Sequence, residues 1–408
     1  MTLGRQRVGL FCAVGGSFWS VFTNASRYFL RMLRWTLLAL IFFLLALGAL
    51  TTWRSPAWSP WKWAVLAGEY GHWFAVVALI GVALVGYGRG SVSFKIVVSG
   101  LGVTAAGFLL KPAWQASRLA VGLPEKLAAS FGPVELGRPA FSLGDLWWGR
   151  GVEPVVMTTW EVAPGLPVDF YRAIRTDGQP APCVMVIHGG GWDSGDRRQI
   201  VHFNHWLARR GYAVAAISYR LAPTFPWPAQ REDGLAAMAW LRARAGELGI
   251  DAANVVLLGR SAGGQIAECI GYTAGDPAIR GVVGCYAPSD LIFGYVNTHE
   301  NDMLKSPALM RQFLGGTPVT ARANYVAASA WFHVTPRVPP TLLLHGTLDA
   351  LAWYRHSVRL AARLAAEEVP HALVLLPWAT HAFDFNLNGP GGQLTRFSLE
   401  WFLASVTR

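Results

Sequence analysis

Asn254-Val255-Val256-Leu257-Leu258-Gly259-Arg260-Ser261-Ala262-Gly263-Gly264-Gln265-Ile266-Ala267-Glu268-Cys269-Ile270 is the stretch on which the reading of this chain turns. Its first five residues are short and apolar, as in a buried strand, and Gln265 to Ile270 read as a helix. Between them stands Gly-x-Ser-x-Gly. At a strand-to-helix junction this pattern makes a tight turn that holds one hydroxyl, here Ser261, clear of the backbone. Gly259 and Gly263 are needed there because a side chain would strike the neighbouring strand or helix. Five residues of this kind also recur by chance, so their meaning depends on what surrounds them.

Working outward, the pattern after Gly151 alternates brief apolar runs with amphipathic stretches. Val155–Trp160 and Val168–Arg172 predict an opening hairpin across Pro164-Gly165. The later runs are 183–187, 213–218, 255–258, 281–285, 341–344 and 372–376, strands of the kind buried on both faces. Helices are expected over 198–210, 229–248, 263–274, 352–368 and 393–406. Strand alternating with helix predicts an α/β fold, a mostly parallel sheet with helices on both faces. Residues 290–336 break the alternation and are the natural cap-like insertion over a site.

A serine hydroxyl is a poor nucleophile until a base accepts its proton and a third group orients that base. Asp349 follows the apolar run Leu342-Leu343-Leu344 and His345-Gly346, and His381 follows Val374-Leu375-Leu376-Pro377. Each therefore sits just past the carboxyl end of a strand, where open α/β sheets place their sites. His381 is the candidate base and Asp349 its orienting acid. Asp384 and Asp290 are rivals for the acid, the first too near His381 in sequence and the second after an earlier strand. Upstream, Ile187-His188-Gly189-Gly190-Gly191-Trp192 leaves amides uncovered after another strand. Gly190 and Gly191, with the amide of Ala262, are the expected oxyanion donors. His188 reads as a structural hydrogen-bonding residue, and Asp193 and Asp196 as organisers of the loop.

His188-Gly189-Gly190-Gly191-Trp192, Tyr219-Arg220-Leu221-Ala222-Pro223, Gly259-Arg260-Ser261-Ala262-Gly263-Gly264, His345-Gly346 with Asp349, and His381 together resemble an α/β-hydrolase. The type is the hormone-sensitive-lipase-like carboxylesterase. The tryptophan after the glycines is similar to that of the feruloyl and acetylxylan esterase-like branch, and of the kynurenine formamidase-like branch. The resemblance covers about residues 150–408. It implies hydrolysis of small-molecule or lipid-like carboxylic esters through an acyl-enzyme, without metal or organic cofactor. Such esterases often carry a smaller or acidic residue where this chain has Arg260. Residues 1–125 have no counterpart in the usual soluble members.

Those residues read as a membrane anchor. Of 408 residues 53% are hydrophobic and 14% charged, and the apolar ones concentrate early. Spans are expected at 35–53, 71–88 and 95–110 within an anchor domain 1–111, followed by a connector at 112–150 and a catalytic domain at 151–408. A helix needs about 20 apolar residues to cross a bilayer. Trp53, Trp58, Trp61, Trp63 and Trp73 cluster between the first two runs, as interfacial aromatics do. Residues 1–126 hold 12 Lys and Arg against 2 Glu, leaving 23 basic and 22 acidic residues of the total 35 and 24. The overall +11 therefore belongs to the anchor and gives nucleic-acid binding no support. Arg5, Arg7, Arg27, Arg31 and Arg34 precede the first span, with Arg89 and Lys95 in a short loop. This predicts a cytoplasmic N-terminus and, after three crossings of the inner membrane, a catalytic domain on the outer face. The uncharged stretch 8–26 reads as surface-lying. Cys183, Cys269 and Cys285 read as small core residues, and no metal-like spacing occurs. An amidase, an acyltransferase, or a catalytically idle interaction module on the same fold are the alternatives. The oligomeric state is open.

Overall fold

The computed structural model describes residues 10–88 and 91–407. Arg5, Arg7 and Arg89, which enter the charge-based orientation, and Val8 and Gly9 of the stretch 8–26 lie outside the described residues. Three long helices come first: α1 (Leu10–Ala49), α2 (Trp58–Tyr87) and α3 (Val92–Phe131). All three contain segments long and apolar enough to cross a membrane, Arg31–Ala49, Trp58–Tyr87 and Val92–Phe131. Internal contacts divide the chain into two compact units, one ending at Ala49 and resuming over His72–Leu110, the other made of Leu50–Gly71 and Lys111 onward.

In the first unit Ile41, Val85 and Val98 form a small interior, with Leu37, Leu38, Phe94 and Leu101 packed around it. Close approach of helices is allowed by Gly102, where an added Cβ would fall 2.4 Å from Val82 Cγ2. Phe42, Ile80, Leu84, Ile96 and Val103 point outward and are exposed. Large apolar residues turned outward are what helices surrounded by lipid show.

The second unit opens with a short α4 (Leu143–Trp148) and the hairpin β1 (Met157–Ala163) and β2 (Leu166–Tyr171). Then follow β3 (Ala181–Ile187), α5 (Val201–Arg209), β4 (Ala213–Ile217), α6 (Ala229–Ala243), α7 (Ala245–Leu248), β5 (Ile250–Arg260), α8 (Ala262–Thr273) and β6 (Ile279–Cys285). Three short helices, α9 (Leu291–Val296), α10 (Ser306–Leu314) and α11 (Arg322–Ala327), and a 3-10 turn at Ala330–His333 occupy the stretch expected to be irregular. The chain closes with β7 (Thr341–Gly346), α12 (Arg355–Ala366), β8 (His371–Leu376) and α13 (Pro390–Val406).

The eight strands form one sheet in the order β1-β2-β4-β3-β5-β6-β7-β8, in which only β2 runs against its neighbours. The predicted α/β class is thus the observed one. Parallel register aligns Leu258 of β5 with Val186 of β3 and Val283 of β6, so the carboxyl ends of these strands share one edge. Along β5, Val255 and Leu257 enter one core while Val256 and Leu258 enter the other, which is why its sequence is apolar without alternation.

Within the expected connector, α3 runs through Pro112 and Pro124 to Phe131. Ala116, Leu123 and Leu127 are buried there with Phe203 and Phe402, and burying that stripe outweighs the local cost of two prolines. The second helix also begins 13 residues before its expected span, at Trp58 rather than residue 71. Its early part belongs to the second unit, and Glu69 accepts the amides of Gly391 at 3.1 Å and Gly392 at 3.3 Å at the start of α13.

Burial pushes the Cys183 and Cys269 thiols up to about 12, as suits inert core residues. On α8, burial pushes the Glu268 carboxyl up to about 8. A raised folded-state value favours the protonated form, so that contribution is full below the unfolded value near 4.5 and lost as pH rises to about 8. Thermal unfolding in detergent solution should therefore show stability falling between pH 5 and 8, by at most about 1.4 kcal/mol per pH unit from this group. Glu268→Gln should flatten the profile, and an unchanged slope would assign it to another group.

Candidate active site

β5 ends at Arg260 and α8 begins at Ala262, so Ser261 alone makes the turn, with φ 54° and ψ −122°. A positive φ at a residue with a Cβ is strained, typically by about 1–3 kcal/mol. The turn is held by the Ser261 amide, which donates to Cys285 O at 2.9 Å. It is admitted only because a Cβ on Gly259 would sit 2.1 Å from Gly263 O, and one on Gly263 would sit 2.2 Å from Ile187 O.

Ser261 and His381 line the same cavity, of about 770 Å³. His381 Nδ1 lies 2.7 Å from Asp349 Oδ2. Asp349 Oδ1 accepts the amides of Leu351 and Ala352 at 2.8 and 2.9 Å, and His345 Nε2 stands 3.3 Å from Oδ2. Burial alone would raise the Asp349 carboxyl, but His381 and the hydrogen bond from His345 hold it well below the usual carboxylate range. An ionised acid against one face of an imidazole leaves the opposite ring nitrogen to accept a proton. His356 also lines the cavity, and burial pushes it down to about 3, so it is neutral there.

Gly190 and Gly191, expected as amide donors, line the cavity with Ala262, at φ 122° and 60°. The Gly189 amide is engaged by Gln199 Oε1 at 2.8 Å. Trp192 lines the cavity as well: its Nε1 donates to Gln265 Oε1 at 2.8 Å and its ring stacks on Phe313. His188 stacks on Tyr219 and lies 2.7 Å from Gly189 O through Nδ1, consistent with a structural part. Asp193 accepts from Gln312 and Asp196 from the Arg198 amide.

Neither rival acid touches the imidazole nitrogens. Asp290 caps α9 through the Phe293 amide and pairs with Arg359 at 2.8 Å. Asp384 pairs with Arg260 Nε and accepts from Tyr286 Oη at 2.6 Å, both partners buried. The Arg260 guanidinium also lies 4.5 Å from the Phe203 ring centroid. Arg260 thus fastens the turn before Ser261 to the loop three residues past His381. Phe293 lines the cavity, while Trp147, Trp148, Tyr295 and Trp331 do not. Sequence reading misses Gln265, Tyr286 and Arg54, and takes Trp58 and Trp61 only as interfacial aromatics. Among the described residues, no cluster of three or more His, Cys, Asp or Glu is arranged to hold a metal ion.

Residues 168–364 match the BD-FAE family model. Esterase LipC of Mycobacterium tuberculosis is 29% identical over 256 residues, 60% of this chain and 63% of that protein. The probable carboxylic ester hydrolase LipM of the same organism is 29% identical over 55% of this chain and 54% of its own. The chain thus spans less than two thirds of the length of these curated relatives. Among solved structures, esterase B from Lactobacillus rhamnosis superposes with a TM-score of 0.55 at 22% identity, covering 63% of this chain and 88% of that one. A bacterial heroin esterase gives 0.53 at 24%, covering 65% and 88%. These two likenesses are of fold.

Asparagine at position 384 would leave the buried Arg260 without its counter-charge. Breaking a buried pair from one side typically costs about 3–5 kcal/mol. Asp384→Asn should lower stability by that order in denaturant unfolding, and Arg260→Met combined with Asp384→Leu should recover part of the loss. A double variant no better than the single would show that the pair is not the source.

Proposed function

With a fold shared with α/β-hydrolase esterases as the frame, we propose that this chain is a membrane-anchored serine carboxylic ester hydrolase working through an acyl-enzyme. Ser261 attacks the ester carbonyl while His381 takes its proton. Asp349 fixes the imidazole tautomer and stabilises the imidazolium. The amides of Gly190, Gly191 and Ala262 receive the developing oxyanion, where the loss of one donor typically costs about 3–4 kcal/mol. His381 then returns the proton to the leaving alkoxide, and water repeats the cycle on the acyl-enzyme. Residues 290–336 serve as the cap.

The observation that carries this reading is one cavity holding a strained-turn serine and an imidazole whose far nitrogen is 2.7 Å from a buried carboxylate. An idle fold has no physical need to keep a serine at φ 54° beside that pair. Residues to 111 anchor the enzyme by about three crossings, with the catalytic domain on the outer face of the inner membrane.

A fluorophosphonate probe should label wild type at Ser261 and leave Ser261→Ala unlabelled and inactive on p-nitrophenyl acetate. Asp349→Asn should fold and bind but lose about three to four orders of magnitude in kcat. A Ser261→Ala enzyme turning over at the wild-type rate would move the nucleophile elsewhere.

For orientation, protease added to intact spheroplasts should remove the catalytic domain. Full protection until lysis would put it on the cytoplasmic side.

A further inference from the structure

One wall of the cavity comes from a part of the chain far from the strand-end residues. Trp58 and Trp61, in the first turn of α2, line it together with Ser261 and His381. Their rings meet edge to face at 5.3 Å. The segment that carries them is fastened beside the site. Arg54 Nε donates at 3.0 Å to the main-chain oxygen of Asp349, and its guanidinium stands 5.9 Å from the Trp353 ring centroid. Lys111 Nζ donates to Thr51 O and Thr52 Oγ1 at 3.1 Å each. Glu69, two turns further along, holds the amides that open α13.

The rest of the wall is apolar where it matters for an acyl group: Leu291, Phe293, Met303, Leu309 and Met310 line it too. A cavity of about 770 Å³ is far larger than an acetyl group needs and falls within the roughly 300–1,000 Å³ of sites for much larger ligands. Trp58 itself remains partly open to the outside, 44% exposed. The helix it opens continues into a run apolar enough to cross a membrane. Tryptophans at the ends of such helices sit at the level of the lipid headgroups, with an apolar body and a polar edge. The wall of this cavity is therefore built from residues of a kind that meets lipid at its surface.

We propose that Trp58 and Trp61 are specificity-determining residues, forming an acyl-binding wall, and that the site takes long-chain acyl esters presented at a membrane surface. This rests on the hydrolase reading above and adds its substrate class. The acyl chain lies along the two indoles and the methionine and leucine side, and the ester carbonyl reaches Ser261. A soluble short-chain ester uses only the inner end of the cavity and gains little from the wall.

The test uses the full chain reconstituted in phosphatidylcholine vesicles, with p-nitrophenyl dodecanoate in the bilayer and p-nitrophenyl acetate in solution. The readout is the ratio of kcat/KM for the long ester over the short one. Trp58→Ala combined with Trp61→Ala should lower that ratio about tenfold or more, the effect of about two buried methylenes lost from contact. Trp58→Phe combined with Trp61→Phe, which keeps two aromatic faces, should lower it less. Fluorophosphonate labelling of Ser261 in each variant reports that the site is still assembled. A ratio unchanged in the alanine variant, or both esters falling in parallel, overturns the wall. A wild type that cleaves acetate and not dodecanoate overturns the substrate class and leaves the hydrolase reading standing. A wild type that cleaves neither and does not label overturns both.

Discussion

The backbone turn at Ser261 is the constraint on which the rest of the site depends. A side chain held at φ 54° persists only where its surroundings leave no alternative. Here the surroundings are the two flanking strands. Cys285 of β6 takes the Ser261 amide, and Ile187 of β3 lies so close to Gly263 that nothing larger than hydrogen fits. Both contacts require β5 to lie between β3 and β6 in parallel register. That same register brings the ends of β7 and β8 to the same edge, and with them Asp349 and His381. The turn and the placing of Ser261 and His381 on one cavity are consequences of one sheet order.

Charge placement follows from the turn. Asp349 is fully buried, and burial alone would push its carboxyl up. The two amides, His345 and His381 reverse that balance and leave an anion beside the imidazole. Arg260 poses the opposite problem, because the turn points its side chain away from solvent. Asp384, Tyr286 and the face of Phe203 receive it, and without them a guanidinium at this position would cost several kcal/mol. The departure from the smaller or acidic residue of similar esterases is thereby compensated three residues past His381. An aspartate that reads as a rival for the orienting acid is instead the partner of Arg260, the residue before Ser261.

Much of this was legible because it is local. Leu342 to Leu344 and Val374 to Leu376 are apolar runs that end in turns, so placing Asp349 and His381 at strand ends needed only the period of the pattern and the parallel-sheet rule. The glycines around Ser261 were legible for the same reason. What escaped notice depends on contacts across long stretches of chain: Arg54 reaches Asp349 over 295 residues, and Gln265 reaches the Trp192 indole over 73. The Trp58 and Trp61 pair reads as interfacial aromatics, since nothing in the local pattern points it toward the cavity that holds Ser261 and His381. Pro112 and Pro124 do not end α3. Their local cost is real, but a buried stripe of Ala116, Leu123 and Leu127 outweighs it.

α2 shows how one helix serves two surroundings. Its composition alone marks all of Trp58–Tyr87 as fit to cross a bilayer. A lone carboxylate in hydrocarbon is expensive, by about 2.5–3.5 kcal/mol or more at the centre of a crossing helix. Glu69 is not left unpaired: its carboxyl oxygens accept the amides of Gly391 and Gly392, donors left free at a helix start. The contact division of the chain falls just after it, between Gly71 and His72. The turns of α2 before that point therefore behave as part of the second unit. Their polar group is hydrogen-bonded to α13 and their tryptophans line the cavity, while the turns after it carry the outward apolar residues Ile80 and Leu84. Hydropathy sees one continuous apolar helix, and the hydrogen bonds of a single carboxylate mark where its role changes.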